Sequence, residues 1–399
     1  MTFYDGMVYN ISMKYKMPKG VCDYLPDECY AKNTTEEQLL NVFRQNGYER
    51  IETPCIEYAD VFTEHGLFPI ETAFKMTDTD GSLILLRPDI TMPLSRIVST
   101  KITPVLPLKL CYLGDSFSLL AEDNRYREFT QAGLELIGSN SYLADAEVVA
   151  LAIEGLRAAG LQDFLIELGS TEILRGLIEE CCLDEKDEEE LIRSVDKKNH
   201  FAITEILNAK GVSRALSNAV TELLTLFGDD ALKEAYRLVK PKKSRIALDR
   251  LSEVYDALRA LGYEKYLSID PGLLNSMNFY TGIVFKGISR HFGAPILSGG
   301  RYDNLFTDKN KSAIPATGFA VGVQNLLTAL TRSGNVAERA SVDYVIGAKK
   351  EQAERAVRLK DRLIRDGFRA SYTFIEDEAK LKEYAEKVKA KNIVFVGGE

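Results

Sequence analysis

Between Phe117 and Gly138 the chain reads FSLLAEDNRYREFTQAGLELIG. No other stretch restricts the fold as much. The pattern predicts a strand, a polar turn at Ala121–Asn124, and a second strand from about Tyr126 to Leu136. Side chains alternate across a strand, so Gln131 and Glu135, four residues apart, share one face. A carboxylate and an amide buried side by side are costly unless a cationic or hydrogen-bonding group meets them. They are therefore either two solvated strand residues or part of a polar binding site.

Composition narrows what such a site could serve. At 399 residues the chain is long enough for two or three domains. Its net charge of −9 argues against nucleic-acid binding through a broad basic surface. The six cysteines form no C-x-x-C pair, and with three histidines in the chain no zinc site is expected. No cofactor is expected either, because no G-x-G-x-x-G motif occurs. The start does not resemble a signal peptide and no 18-residue apolar run occurs, so a cytoplasmic compartment and no membrane contact are expected.

Taken in order, residues 1–16 offer no clear element, and Met17–Pro26 is a loop punctuated by Pro and Gly. Thr34 and Glu37 have capping-box spacing before a helix that Gly47 ends, and Tyr48–Pro54 reads as a strand. Leu83–Leu86 is a short apolar strand leading into Arg87-Pro88-Asp89-Ile90-Thr91. Asp89 and Thr91 either cap the helix Met92–Val98 or place a carboxylate and a hydroxyl at the mouth of a pocket. Residues 144–160 form an amphipathic helix, and Phe164–Leu168 a strand. From Ser170 to about Gly262 the pattern is almost entirely helical, as expected of an inserted helical domain (170–262). Strands resume at Tyr266–Asp270 and Phe279–Lys286, followed by Gly299-Gly300-Arg301-Tyr302-Asp303 and Ala316–Val323. Residues 331–341 read as a linker between a core of 1–330 and a β-α-β-α-β unit at 342–399.

Six ordered segments carry a resemblance: the loop at Met17–Pro26, LRPDIT, NRYREFTQAGLELIG, NSMNFYTG, SGGRYDNL and ATGFAVG. Together they resemble histidyl-tRNA synthetase over nearly the full chain. The resemblance implies an α+β fold with a class II aminoacyl-tRNA synthetase-like core. In that core an antiparallel sheet is flanked by helices, with a helical insertion and a partial anticodon-binding-like α/β domain at the C-terminus. It also implies a histidine pocket. Gln131 and Glu135 match the positions that hold the α-ammonium, and Asp89 stands where the synthetase has glutamate, with Thr91 beside it. Tyr280 and Tyr302 match aromatic pocket positions, and Arg125 and Arg127 match the arginines of the second strand.

The departures from that family concern the transition state. Forming an aminoacyl adenylate adds negative charge at the α-phosphate, which synthetases of this class meet with arginines. At the matching positions this chain has Ser118, Asn275 and Asn325. A retained pocket without adenylation arginines looks like the non-catalytic relative, the regulatory subunit of ATP phosphoribosyltransferase. That resemblance implies no catalytic residues and a short-form catalytic subunit as partner in the first step of L-histidine biosynthesis. It further implies histidine as effector and a homodimer within a hetero-octamer of four regulatory and four catalytic chains. An active histidyl-tRNA synthetase and a stand-alone histidine or tRNA sensor are the alternatives. The tail from Val342 holds 13 basic and 11 acidic side chains, too balanced for the basic surface that tRNA requires.

Overall fold

The computed structural model describes residues 17–63, 68–102, 105–119, 126–228, 230–274, 280–308, 310–339 and 341–397. The expected turn at Ala121–Asn124 lies outside them. The chain divides into two compact units, Met1–Ala337 and Glu338–Glu399.

The first unit is organised on eight strands: β1 (Glu49–Arg50), β2 (Leu108–Phe117), β3 (Glu128–Ile137), β4 (Leu165–Ser170), β5 (Leu267–Ile269), β6 (Ile283–Ser289), β7 (Phe292–Arg301) and β8 (Ala316–Gly322). They pair in the order β1-β2-β3-β8-β7-β6-β4-β5. The six central strands are antiparallel to their neighbours, while β1 and β5 pair parallel at the two edges. Alternation gives the sheet two different faces. On one, Ala132, Leu134, Leu136, Cys111, Phe319 and Leu297 pack with Leu39, Leu40 and Phe43 of the helix Pro26–Gln45 and with the helices Tyr142–Ala158 and Val323–Ser333. The other face carries Leu110, Tyr112, Ile137, Val284 and Ala316, covered by Phe62, Leu85, Leu94 and Phe306. Leu85 belongs to a separate antiparallel sheet of Ile56–Tyr58, Lys75–Thr77 and Leu83–Leu86.

Two expected boundaries are corrected. The first helix begins at Pro26, eight residues before the expected cap at Thr34, because Pro at the first turn has a helical φ and gives up an N–H that would have no partner there. The strand read at Tyr48–Pro54 pairs only at Glu49 and Arg50. Beyond them the Arg87 guanidinium bonds the Thr53 and Pro54 carbonyls, and Pro54 has no N–H for a ladder. Among the described residues between Thr171 and Ala260 lie six helices, the acidic run being the exposed start of the helix Glu185–Asp196, which Asp184 caps.

In the second unit β9 (Tyr344–Ala348) lies between β10 (Ala370–Tyr372) and β11 (Asn392–Val396), all parallel. The helix Ala353–Arg365 packs Ala356 against Ile346 and Ala348, and the helix Glu378–Lys387 packs Leu381 and Ala385 against Val345.

Candidate functional site

Register decides which side chains can meet. Glu135 lies opposite Leu110 on β2 and Gly318 on β8, and Gln131 lies opposite Gly114 and Gly322. Glycine therefore flanks both polar residues, and the sheet surface between them is a trough rather than a packed layer. At two positions no other residue would fit. A Cβ at Gly318 would fall on Glu135 Oε2, and one at Gly133 would come within 2.5 Å of the Tyr112 hydroxyl and the Phe319 carbonyl oxygen.

The segment Arg87–Thr91 forms the wall above Glu135. Arg87, 4% exposed, anchors it: Nε donates to Asp115 O at 2.7 Å, and Nη1 donates to Thr53 O at 2.5 Å and Thr53 Oγ1 at 2.7 Å. Asp89 Oδ1 accepts from the Met92 N–H at 3.0 Å, so Asp89 caps the helix Thr91–Thr100. Thr91 does what the capping reading would not require. Its hydroxyl donates to Glu135 Oε1 at 2.9 Å, across 44 residues of chain.

Tyr280 and Tyr302 close the same space. Both are buried, with ring centroids 6.1 Å apart, and the Tyr302 hydroxyl lies 2.6 Å from where a Gly318 Cβ would stand. The structure thus brings Asp89, Thr91, Glu135, Tyr280 and Tyr302 together. Gln131 is on the same face two positions further along, with Ser116 Oγ donating to its Oε1 at 2.9 Å. Arg125 and Asn275 lie outside the described residues. Arg127 is held by its backbone, its N–H donating to Gly20 O at 2.5 Å and its carbonyl accepting from the Ser118 N–H at 2.9 Å.

Sequence reasoning missed Tyr112, 2% exposed, whose phenol stands near Thr91 and feels the charge of Glu135. Its signal was available, as the tyrosine that β2 sets opposite Gly133 in the same glycine-bordered trough. Arg301, by contrast, faces away from the site although its neighbour Tyr302 lines it. Its Nε and Nη2 reach Asp145 Oδ1 at 2.9 and 2.7 Å, and Arg250 holds the other Asp145 oxygen at 2.8 Å.

The electrostatics of the trough follow from burial. Desolvation pushes Glu135 well above the ordinary carboxylate range, and the nearby Asp89 charge adds to it, while the Thr91 hydroxyl works in the other direction. Asp89 is raised to about 6 by desolvation, against the Met92 and Thr91 N–H groups and the Arg87 charge. Burial likewise raises the Tyr112 and Tyr280 phenols. Glu135 Oε2 has no hydrogen-bond partner among the described residues. Two buried carboxyls beneath aromatic walls, with no cation paired to Glu135 among the described residues, suit a ligand that brings an ammonium group.

The places matched to the adenylation arginines are filled differently. Asn325 Nδ2 donates to Pro295 O at 3.1 Å, and Ser118 lies just beyond the end of β2. Among the described residues no group of three or more His, Cys, Asp and Glu is placed to hold a metal ion, and no helix is long and apolar enough to cross a membrane.

Comparison with known proteins gives a consistent picture. The family model for histidyl-tRNA synthetase matches residues 20–326. A Ruminiclostridium cellulolyticum protein described as an ATP phosphoribosyltransferase regulatory subunit is 39% identical over 391 residues, 96% of this chain and 92% of that protein. The crystal structure of an ATP phosphoribosyltransferase regulatory subunit/histidyl-tRNA synthetase from Bacillus halodurans matches with a TM-score of 0.86 at 28% identity, covering 97% of this chain and 99% of that one. Histidyl-tRNA synthetase from a Nostoc species shares the fold, with a TM-score of 0.82 at 21% identity over 97% of this chain and 92% of its own.

Proposed function

The chain belongs to the family of ATP phosphoribosyltransferase regulatory subunits, built on the histidyl-tRNA synthetase core, and from that premise we propose that it acts without catalysis of its own. It binds a short-form catalytic subunit, which carries out the first step of L-histidine biosynthesis, and conveys feedback from histidine to it. The pocket formed by Asp89, Thr91, Gln131, Glu135, Tyr280 and Tyr302 takes the effector, with Arg125 assigned to it by resemblance alone. The α-ammonium of histidine goes to Gln131 and Glu135, with Asp89 beside them.

One observation carries this reading: the acidic trough is intact while the positions matched to adenylation arginines are Ser118, Asn275 and Asn325. Losing a single comparable contact typically costs a factor of ~10²–10³ in rate, so three neutral replacements leave little support for adenylate formation. Retained binding without catalytic charge is what an effector site needs. The compartment is cytoplasmic, where the partner enzyme and free histidine meet. Binding of tRNA is not part of this role, since the tail's charges are nearly balanced. The second unit, 338–399, serves as an interaction module or remains as a remnant of the anticodon domain.

The test is reconstitution. Adding the chain to a short catalytic subunit should switch on phosphoribosyl transfer to ATP, and histidine should inhibit that activity. The pure chain should support neither that reaction nor histidine-dependent ATP–pyrophosphate exchange. Robust exchange by the chain alone would restore the synthetase reading.

A further inference from the structure

Resting on the histidine-pocket reading above, we propose that this pocket exchanges a proton for its ligand's cation. Glu135 is the neutral acid while the pocket is empty and releases its proton to solvent when an ammonium group enters.

The geometry leaves a charged Glu135 poorly supported in the empty pocket. The side chain is 1% exposed and sits mid-strand between Leu110 and Gly318, away from bulk solvent. Its Oε1 accepts from a single neutral donor, the Thr91 hydroxyl, at 2.9 Å, and its Oε2 has no partner among the described residues. A buried carboxylate normally requires a cation or several N–H donors, and otherwise it protonates.

Among the described residues, which do not include Arg125, the groups facing Glu135 from each packed element do not supply that cation. From the loop before the helix Thr91–Thr100 come Asp89, whose charge opposes ionisation, and Arg87, whose Nε and Nη1 bond Asp115 and Thr53. From β2 comes the Tyr112 phenol, and from the far side of the trough come Tyr280 and Tyr302. Tyr48 feels the Glu135 charge from the helix-covered side and is bonded to Glu147. On β8 the facing residue is Gly318, which contributes only space. The upward displacement of Glu135, caused first by desolvation and next by Asp89, agrees with this arrangement.

An arriving ammonium reverses the balance, because a nearby positive charge favours the carboxylate. The proton leaves Glu135 for the buffer, no covalent bond is made, and the complex holds an ammonium–carboxylate pair. Ligand affinity is then linked to pH, rising by up to about ten-fold per pH unit while the empty pocket is protonated and the filled one is not.

Calorimetry separates this inference from the reading on which it rests. Histidine is titrated into the full chain at pH 7.5 in phosphate and in Tris, two buffers with different ionisation heats. At that pH the ligand's imidazole, with a reference value of about 6.5, is mostly neutral. The expected result is binding in both buffers, with heats that differ by the ionisation of about one proton released per histidine. Glu135→Gln should release none with whatever histidine it still binds. Binding with equal heats in the two buffers would overturn the proton exchange and leave the pocket standing. No binding in either buffer would overturn the pocket itself, and this inference with it.

Discussion

Gly318 and Glu135 face each other across β3 and β8. A side chain at 318 would occupy the space that the carboxylate needs. Thr91 completes the arrangement, its hydroxyl donating a hydrogen bond to the Glu135 carboxyl. If an ammonium group fills this space, its charge-assisted bond to Glu135 contributes roughly 1.5–3 kcal/mol. Glu135→Gln keeps the shape and removes the charge, so histidine affinity should fall about ten-fold or more. In the reconstituted complex the same substitution should relieve histidine inhibition, since an effector acts only through differential binding to two states. Equal affinity of wild type and variant by calorimetry would move the effector site elsewhere.

Elements determine which of these residues can act together. The helix Val323–Ser333 carries Asn325, whose amide donates to Pro295 O and lies beside Gly322, four residues along β8 from the Gly318 that faces Glu135. Asn325→Arg should therefore leave histidine affinity within about two-fold of wild type, as surface changes away from a site usually do. A ten-fold change measured by calorimetry would contradict that separation. The sheet edge makes a different prediction, about pH. Asp270, 2% exposed at the end of β5, is raised to about 6 from an ordinary 3.8, by desolvation first, with Lys198 at 3.7 Å opposing. An acid raised in the folded state holds its proton more tightly there than when unfolded. Its contribution therefore worsens as pH climbs from about 4 to 6 and stays unfavourable above. Asp270→Asn keeps an acceptor for the Gly272 N–H and removes the charge. Relative to wild type it should gain about 1–3 kcal/mol between pH 4 and pH 7, read from thermal unfolding across pH. A relative loss over that range would mean that the Lys198 pairing outweighs desolvation. These elements also show where sequence reading works. The strand with Gln131 and Glu135 on one face was legible because alternation is local, and so was the glycine-rich run that became β8. The Arg301–Asp145–Arg250 contact was not, since its members stand 156 and 105 residues apart and meet only once the helical segment folds back. Nor was the start of the first helix at Pro26, where a proline punctuating a loop and a proline opening a helix look alike in sequence.

At the scale of the whole molecule the question is what covers the remaining apolar surface. On the small sheet of the first unit, Ile56 and Tyr58 stand on one face of their strand, 50% and 53% exposed, with Met76 of the opposite edge strand at 37%. In the proposed assembly the homodimer contact lies on the N-terminal helix and strand within Glu36–Pro54, and this apolar face follows directly in the chain. A two-fold contact repeats one patch on both subunits, so a single charge introduced there acts twice. Tyr58→Glu should therefore convert a dimer of the isolated chain to monomer, read as a halving of mass by light scattering, while its folded-state circular dichroism is unchanged. Mixed with a short catalytic subunit, wild type should give one species containing four chains of each kind. Tyr58→Glu should give smaller complexes, because closure into an octamer requires the regulatory dimer as well as the contact between unlike chains. If the isolated wild type is already a monomer, the dimer assignment fails at the first step. If it is a dimer that elutes apart from the catalytic subunit, the partner assignment fails instead, and the acidic pocket would belong to a histidine sensor that works alone.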